Sequence, residues 1–349
     1  MTSTTIALGC FTLFCVACAA SAADAPTSDA KPKAASEQRL SGPYTHENLT
    51  IYLVHGANTL KGTYLTLEEA MAAKTVKVHE TSDVNELAIE NVGKEPVFVQ
   101  SGDIVKGGKQ DRCIATDFTL EPKSGRVKIA AFCVEHGRWQ QRGGESAALF
   151  SSSSDTVTGN KLKLAANANY RAGGGQNKVW EEVATAQKQL SQNLDADVAA
   201  PASPSSLQLT LENKKVAEGI EKYVKALSDA PGAKDDVIGY AAIINGKMNC
   251  ADVYGSNELF KKIWPRSLKS VATEAAAEAK AGEKVAVMSQ DDVQASLRKA
   301  AEGKREQNDV GGAGGAVQVI TTESNDSVQF ESRARGEDGY LRRSVIKKD

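Results

Sequence analysis

Up to Trp139 the apolar residues of this chain come in short, strand-length runs; between Val179 and Leu227 they recur at helical intervals; from Val237 they return to strand length. Val179, Val183, Leu190 and Leu194 mark one amphipathic helix, and Val216, Ile220, Tyr223, Val224 and Leu227 mark another. Strands first and last with helices between define an α+β fold: a mixed, mostly antiparallel β-sheet core with helices inserted between N-terminal and C-terminal strands. Val237 to Ile244 and Met248 to Val253 flank Asn245-Gly246, a strong hairpin signal because the favoured two-residue turn needs positive φ at both positions. Pro96 to Gln100 and Val127 to Val134 are almost continuously apolar, which predicts strands covered on both faces. Cys113 to Leu120 and Val127 to Val134 are expected to form a hairpin across Pro122-Lys-Ser-Gly125. Asn257 is expected to cap a helix kinked or broken at Pro265, and Lys284 to Met288 to form a strand. Asp291 to Ala301 should be helical, with Gly311 to Gly315 a flexible joint.

The first residues suggest export. An apolar stretch from Ile6 to Ala20 ends in Ala20-Ser21-Ala22, which predicts a signal peptide over 1–22 and a secreted or periplasmic mature chain. Lipidation at Cys18 is the alternative processing route. Residues 23–42, rich in Pro, Ala, Ser, Lys and Asp, are expected to form a disordered tether, followed by a single domain over 43–349. Within it, residues 142–177 are rich in Ser, Gly, Asn and Ala and include Ser151-Ser-Ser-Ser154 and Gly173-Gly-Gly175. A loop of that length is usually a lid, a binding loop or disorder, here expected to form a mobile cover over the neighbouring motif. Beyond the leader no segment is apolar enough to span a bilayer. Cleavage would leave Cys113, Cys133 and Cys250, compatible with one disulfide (Cys113 with Cys133 is the candidate pair) or with three buried thiols.

The formal net charge of −2 argues against dependence on bulk attraction to nucleic acid or membranes. Between Ser101 and Arg142, however, eight Lys and Arg face five Asp and Glu. A local positive bias of that size suits a small anion better than a polyanion.

That bias coincides with two runs, Gly102-Asp-Ile-Val-Lys-Gly-Gly-Lys-Gln-Asp-Arg112 and Cys133-Val-Glu-His-Gly-Arg-Trp139. Charged side chains beside buried strands need partners, so the runs are either a ligand site or an internal ion-pair lock. In extended backbone Gln110 and Arg112 would share one face, with Lys109, Asp111 and Cys113 on the other. Arg112 can grip a carboxylate or phosphate with two parallel N–H donors, Gln110 adds a neutral donor and acceptor, and Gly107 and Gly108 allow a tight turn beside Lys109. The Walker spacing fails, since Gly108 stands where its Lys should be. Glu135 is expected to pair with Arg112 or Arg138; without a full partner it would become a candidate general base, as would His136. Trp139 offers a stacking face. Cys133 with His136 as a thiol hydrolase lacks an orienting third group. Asp252 is placed at a turn or cap. Neither metal-ligand spacing, a cofactor motif nor a nucleic-acid module is recognisable.

These residues resemble the family named for its association with ADP-ribosylglycohydrolase and rhodanese-phosphatase proteins. Its first block, a Gly, a second Gly and then Lys-Gln-Asn-Arg, is matched by Gly102, Gly107, Lys109, Gln110 and Arg112, with Asp111 in place of the common Asn. Its second, Cys-Val-Glu-Gln-Gly-Arg-Trp, is matched from Cys133 to Trp139 except that His136 takes the Gln position. The resemblance continues through Gln176-Asn-Lys-Val-Trp180 and through Asp252, Phe260 and Trp264. It implies a link to ADP-ribose or phosphate chemistry by association. The expected function is an exported domain that binds a small anionic, nucleotide-like or phosphorylated ligand through Lys109, Gln110, Arg112, Glu135, Arg138 and Trp139. The alternatives are a hydrolase of phosphate or glycosidic bonds using Glu135 or His136, and a purely structural or protein-interaction domain.

Overall fold

The computed structural model describes Met1 and residues 38–167, 175–280, 285–312 and 315–348. The rest of the leader over 1–22 with Cys18, most of the tether, Gly173, Gly174 and Lys284 lie outside the described residues. Strands dominate the first part: β1 (Arg39–His46), β2 (Leu49–His55), β3 (Leu65–Thr66), α1 (Leu67–Ala72), β4 (Val76–Asp83), β5 (Glu86–Asn91), β6 (Val97–Val99), β7 (Asp103–Gly107), β8 (Arg112–Ile114), β9 (Phe118–Leu120), β10 (Gly125–Cys133) and β11 (Phe150–Val157). Helices follow: α2 (Asn160–Ala166), α3 (Gly175–Leu194), α4 (Leu207–Leu211) and α5 (Lys214–Leu227). The chain continues through β12 (Val237–Ile244), β13 (Lys247–Tyr254), α6 (Asn257–Ala277), α7 (Gln290–Ala300), β14 (Lys304–Gly312), β15 (Gly315–Glu323), β16 (Ser327–Ala334) and β17 (Arg342–Lys347). The fold is therefore α+β with a mostly antiparallel sheet core.

An eight-stranded antiparallel sheet has the order β1-β2-β12-β13-β17-β16-β15-β14, and a six-stranded one the order β11-β7-β8-β10-β5-β4. A small third sheet, β3-β6-β9, contains the parallel pair β3–β6. Every residue of β2 and β12 is buried, because both faces of these strands are covered. Leu49, Ile51 and Leu53 point into the main core with Phe260 and Leu268 of α6, while Tyr52 and Val54 pack in a second core with Val293 and Ala300 of α7. A separate apolar layer places Leu162, Val179, Val183 and Leu207 over Ile104, Cys113 and Val134, so α2, α3 and α4 cover the outer face of β7, β8 and the end of β10. This layer carries the motif region.

Asn245 (φ 51°) and Gly246 (φ 74°) join β12 to β13, the turn conformation expected from their sequence. Other expectations are corrected. The first strand begins at Arg39, so the last residues assigned to the tether are paired with β2. The stretch 142–177 is not one loop: β11 pairs with β7, α2 follows, and α3 begins at Gly175. β10 alternates, with Val127, Ile129, Ala131 and Cys133 buried and Lys128 exposed, rather than being covered on both faces throughout. Cys113 to Leu120 is split between sheets, β8 pairing with β10 and β9 with β6. Ser256, not Asn257, caps α6, its hydroxyl accepting from Leu259 N–H, and the helix continues through Pro265. Residues 285–288 are irregular.

Candidate functional site

The turn between β7 and β8 is too tight for strand alternation. Gly107 (φ +123°) and Gly108 (φ +54°) lie in the left-handed region, and a Cβ on Gly108 would sit 2.2 Å from Phe150 Cζ. The backbone therefore swings Gln110 and Asp111 together toward the second motif. Gln110 Nε2 donates to Glu135 O (3.0 Å), and Asp111 N–H donates to Glu135 Oε2 (3.0 Å).

Four charged side chains close on one another there. Arg138 grips Glu135 with Nε on Oε1 and Nη2 on Oε2, both at 2.7 Å. Arg142 grips Asp111 in the same bidentate way, at 2.9 and 3.0 Å, and its Nη1 also reaches Glu135 Oε1 at 3.4 Å. Asp111 is completed by Gly107 N–H and the Ser206 hydroxyl. Two carboxylates thus meet two guanidiniums, and all four side chains are buried. Burial alone would raise the Glu135 pKa, but the Arg138 hydrogen bonds outweigh it and hold the carboxyl below its usual value. A carboxylate so held is a poor general base.

Arg112 belongs to a second group. Its guanidinium lies 3.6 Å from Glu80 and donates to Val84 O and Asp83 O, with Nη1 against Cys133 Sγ. It makes no hydrogen bond or ion pair with Glu135 or Arg138, so the expected common cluster is divided into two. Gln110 and Arg112, expected on one face, serve different groups. Trp139 lies on the Arg112 side, its ring centre 5.6 Å from Arg112 Cζ and 5.1 Å from Lys109 Nζ, and Lys109 N–H donates to Glu80. Lys109 Nζ also donates to the Ser82 hydroxyl at 2.9 Å. Trp139 is 43% exposed, unlike the buried charges behind it.

The first turn of α3 locks the second motif from behind. Gln176 behaves like a missing strand residue: Cys133 N–H donates to its Oε1 and its Nε2 donates to Cys133 O, both at 2.8 Å. One turn later Trp180 Nε1 donates to Glu135 O at 3.1 Å. His136 is exposed; its ring stands edge-on to Trp180, and both its N–H and its carbonyl are bonded to the Ser205 hydroxyl.

Asp252 is not at a turn. It sits within β13, where Arg342 of β17 donates to Oδ1 through Nε (3.1 Å) and Nη2 (2.8 Å), and Tyr240 OH donates to Oδ2. Arg342 Nη1 meanwhile reaches Asp117 at 3.0 Å, which also accepts from Ser101 N–H and the Ser332 hydroxyl. Burial works to raise the Asp252 pKa, but the Arg342 guanidinium wins and lowers it. Next to Ser101, Gly102 (φ +93°) leaves room for Lys163, whose Cε would stand 2.8 Å from a Cβ there.

Cys113, Cys133 and Cys250 are free and buried. Cys113 is paired across the ladder with Phe132, and Cys133 with Arg112, so the two thiols leave opposite faces and the candidate disulfide does not form. Burial pushes the Cys113 thiol up to about 12 and the Cys133 thiol up to about 11, which leaves neither as a thiolate nucleophile at neutral pH. Among the described residues no group of three or more His, Cys, Asp or Glu is placed to hold a metal ion, and no helix is long and apolar enough to cross a membrane.

Arg142, Asp111, Glu80, Gln176 and Arg342 take part in these groups although the sequence pattern does not mark them as site residues. Adjacent arginines at 342 and 343 in an otherwise strand-like run were the one signal for Arg342. Arg142 lies in the Ser- and Gly-rich stretch whose composition predicts a loop.

Two glycine-shaped turns and a chain of paired arginines define a motif-built α+β domain. Residues 37–344 match the ARG and Rhodanese-Phosphatase-superfamily-associated Protein domain, and the chain belongs to that family. No curated protein and no solved structure matches it.

Proposed function

We propose that this chain is an exported, non-catalytic binding domain that takes a small anionic, ring-bearing molecule on the face formed by Trp139 and Lys109. The exposed indole carries the proposal: it offers a stacking surface with a lysine ammonium 5.1 Å from its centre. Gln110, Arg112, Glu135 and Arg138, expected to touch the ligand, have their main donors and acceptors engaged inside the protein. Their role here is to hold the ledge that carries Trp139. The two carboxylates and two guanidiniums of the buried quartet balance, and Glu145, paired with Arg142 at 2.9 Å, adds a negative charge at its edge, so attraction for an anion falls to Lys109.

Calorimetry and tryptophan fluorescence with AMP, a ribose phosphate and inorganic phosphate test this. AMP is expected to bind saturably and the other two more weakly, because they lack a ring to stack. Trp139→Ala should abolish AMP binding and Lys109→Ala weaken it, with folding unchanged. Absence of saturable binding across the panel would defeat the proposal. The hydrolase alternative is disfavoured by the doubly held Glu135. The closed quartet favours a purely architectural role, which predicts that Trp139→Ala changes no binding at all.

Export rests on the leader sequence alone. Mass spectrometry of the mature protein is expected to find a chain beginning at Ala23. A lipid-bearing chain beginning at Cys18 would place it on a membrane surface, and an unprocessed chain beginning at Met1 would contradict export by cleavage.

A further inference from the structure

Away from the motifs, three neighbouring strands bring a serine, a histidine and an aspartate together at one end of the eight-stranded sheet. Arg39 of β1 stands opposite His55 of β2, and Ser41 opposite Leu53, so Ser41 and His55 project from one face as diagonal neighbours. On its other side β2 pairs with β12, where Val237 stands opposite His55 and brings Asp236, the residue before it, to the ring. The Ser41 hydroxyl lies 2.7 Å from His55 Nε2, and His55 Nδ1 lies 2.9 Å from Asp236 Oδ1. Asp236 Oδ2 accepts from Arg39 Nη2 at 2.9 Å, which leaves Oδ1 to the histidine.

The order of these contacts sets the direction of the protons. The His55 hydrogen bond holds the Asp236 carboxyl below its usual value, so this group accepts and does not donate. Nδ1 of the neutral ring therefore carries the proton, and Nε2 is left to accept from the Ser41 O–H. A hydroxyl bonded to a base that is itself oriented by a carboxylate is the arrangement that activates a serine, and it is recognised by geometry rather than by chain position. The imidazole is only 3% exposed, so water competes little for Nε2. Ser41 is half-buried and open to approach: β1 is the outermost strand, and Gly42 and Pro43, both exposed, fall where its register with β2 shifts. A structural tie between strands would use the same contacts, and reactivity separates the two.

We infer that Ser41 is an activated nucleophile that accepts an acyl or phosphoryl group from an activated donor, with His55 as its general base and Asp236 as the positioning residue. With an ester, the bond from Ser41 Oγ to the carbonyl carbon forms as the bond from that carbon to the leaving oxygen breaks. The Oγ proton passes to His55 Nε2 and from there to the departing alkoxide, which leaves as the alcohol. The product is a serine ester on the chain, a modification site separate from the Trp139 face and additional to the binding role proposed there.

Diisopropyl fluorophosphate reads the inference directly, because its P–F bond breaks as the Oγ–P bond forms and the adduct stays on the serine for peptide mass spectrometry. Ser41 is expected to be labelled at least about a hundredfold faster than any other serine of the chain, and His55→Gln to lose that advantage. Asp236 is 46% exposed, so its variants report on the site even where His55→Gln fails to fold. Asp236→Asn should slow labelling at least about tenfold by releasing the ring from its tautomer, and Asp236→Glu, which keeps the carboxylate, should recover most of the rate. Trp139→Ala should be labelled as fast as the native chain, so the two proposals fail separately. Labelling of Ser41 no faster than of other serines, an unchanged rate in Asp236→Asn, or equal rates in Asp236→Asn and Asp236→Glu would each overturn the inference.

Discussion

Arg342→Met is expected to lower the free energy of unfolding by about 3–5 kcal/mol, the usual cost of removing one partner from a buried ion pair. Arg342 is 1% exposed and serves two carboxylates at once, Asp252 in β13 and Asp117 beside the first motif. Methionine preserves much of the volume but strands both acids away from water. The eight-stranded sheet and the Ser101–Asp117 segment would then lose the charge that joins them. Urea denaturation measures the loss through the midpoint at constant slope. A decrease below about 1 kcal/mol would mean that the network is nearer in worth to a surface pair.

Glu135→Gln is expected to cost a similar amount, about 3–5 kcal/mol, because Arg138 would stay buried without its bidentate partner and Arg142, which keeps Asp111 and Glu145, would lose the third of its carboxylate partners. The substitution should also change the response to acid. Glu135 and Asp252 have folded-state pKa values held below their ordinary 4.5 and 3.8. Each therefore contributes stability that is present above those ordinary values and is lost as pH falls through the depressed ones. Glu274 has the opposite sign: its raised pKa contributes stability at low pH that is lost as pH rises through it. Stability plotted against pH should thus fall steeply on the acid side for the native chain and less steeply for Glu135→Gln. An identical acid limb in both proteins would show that Glu135 is not the titrating group.

Much of the architecture was legible because it follows from burial. The helical period at Val216, Ile220, Tyr223 and Leu227 exists because one face of α5 packs on the core, and Asn245-Gly246 marks its hairpin because few other residues accept positive φ twice in succession. What stayed hidden is held by backbone or by charge. β14 is an edge strand whose residues Lys304 to Asp309 are all exposed, so no apolar alternation announces it. The serines of β11 pair with β7 through main-chain bonds that any side chain permits. Val287, apolar enough to suggest a strand, is 49% exposed.

At the site the two motif runs do converge, as their composition suggested. Which residues meet was not legible, because alternation holds only in extended backbone and Gly107-Gly108 ends it. That turn turns Asp111 inward to become the pivot between Glu135 and Arg142. Where the family pattern commonly has Asn, this chain places a charge, and Arg142 supplies the matching one.

Glu135 and Arg138 form a buried, closed lock. A double-mutant cycle of Glu135→Gln, Arg138→Met and the pair, followed by equilibrium urea unfolding, tests it most directly. The lock predicts a coupling energy of roughly 1.5–3 kcal/mol, toward the upper end for side chains in direct contact. Losses that add to within about 0.5 kcal/mol would contradict it, since additivity of that quality belongs to residues that do not interact.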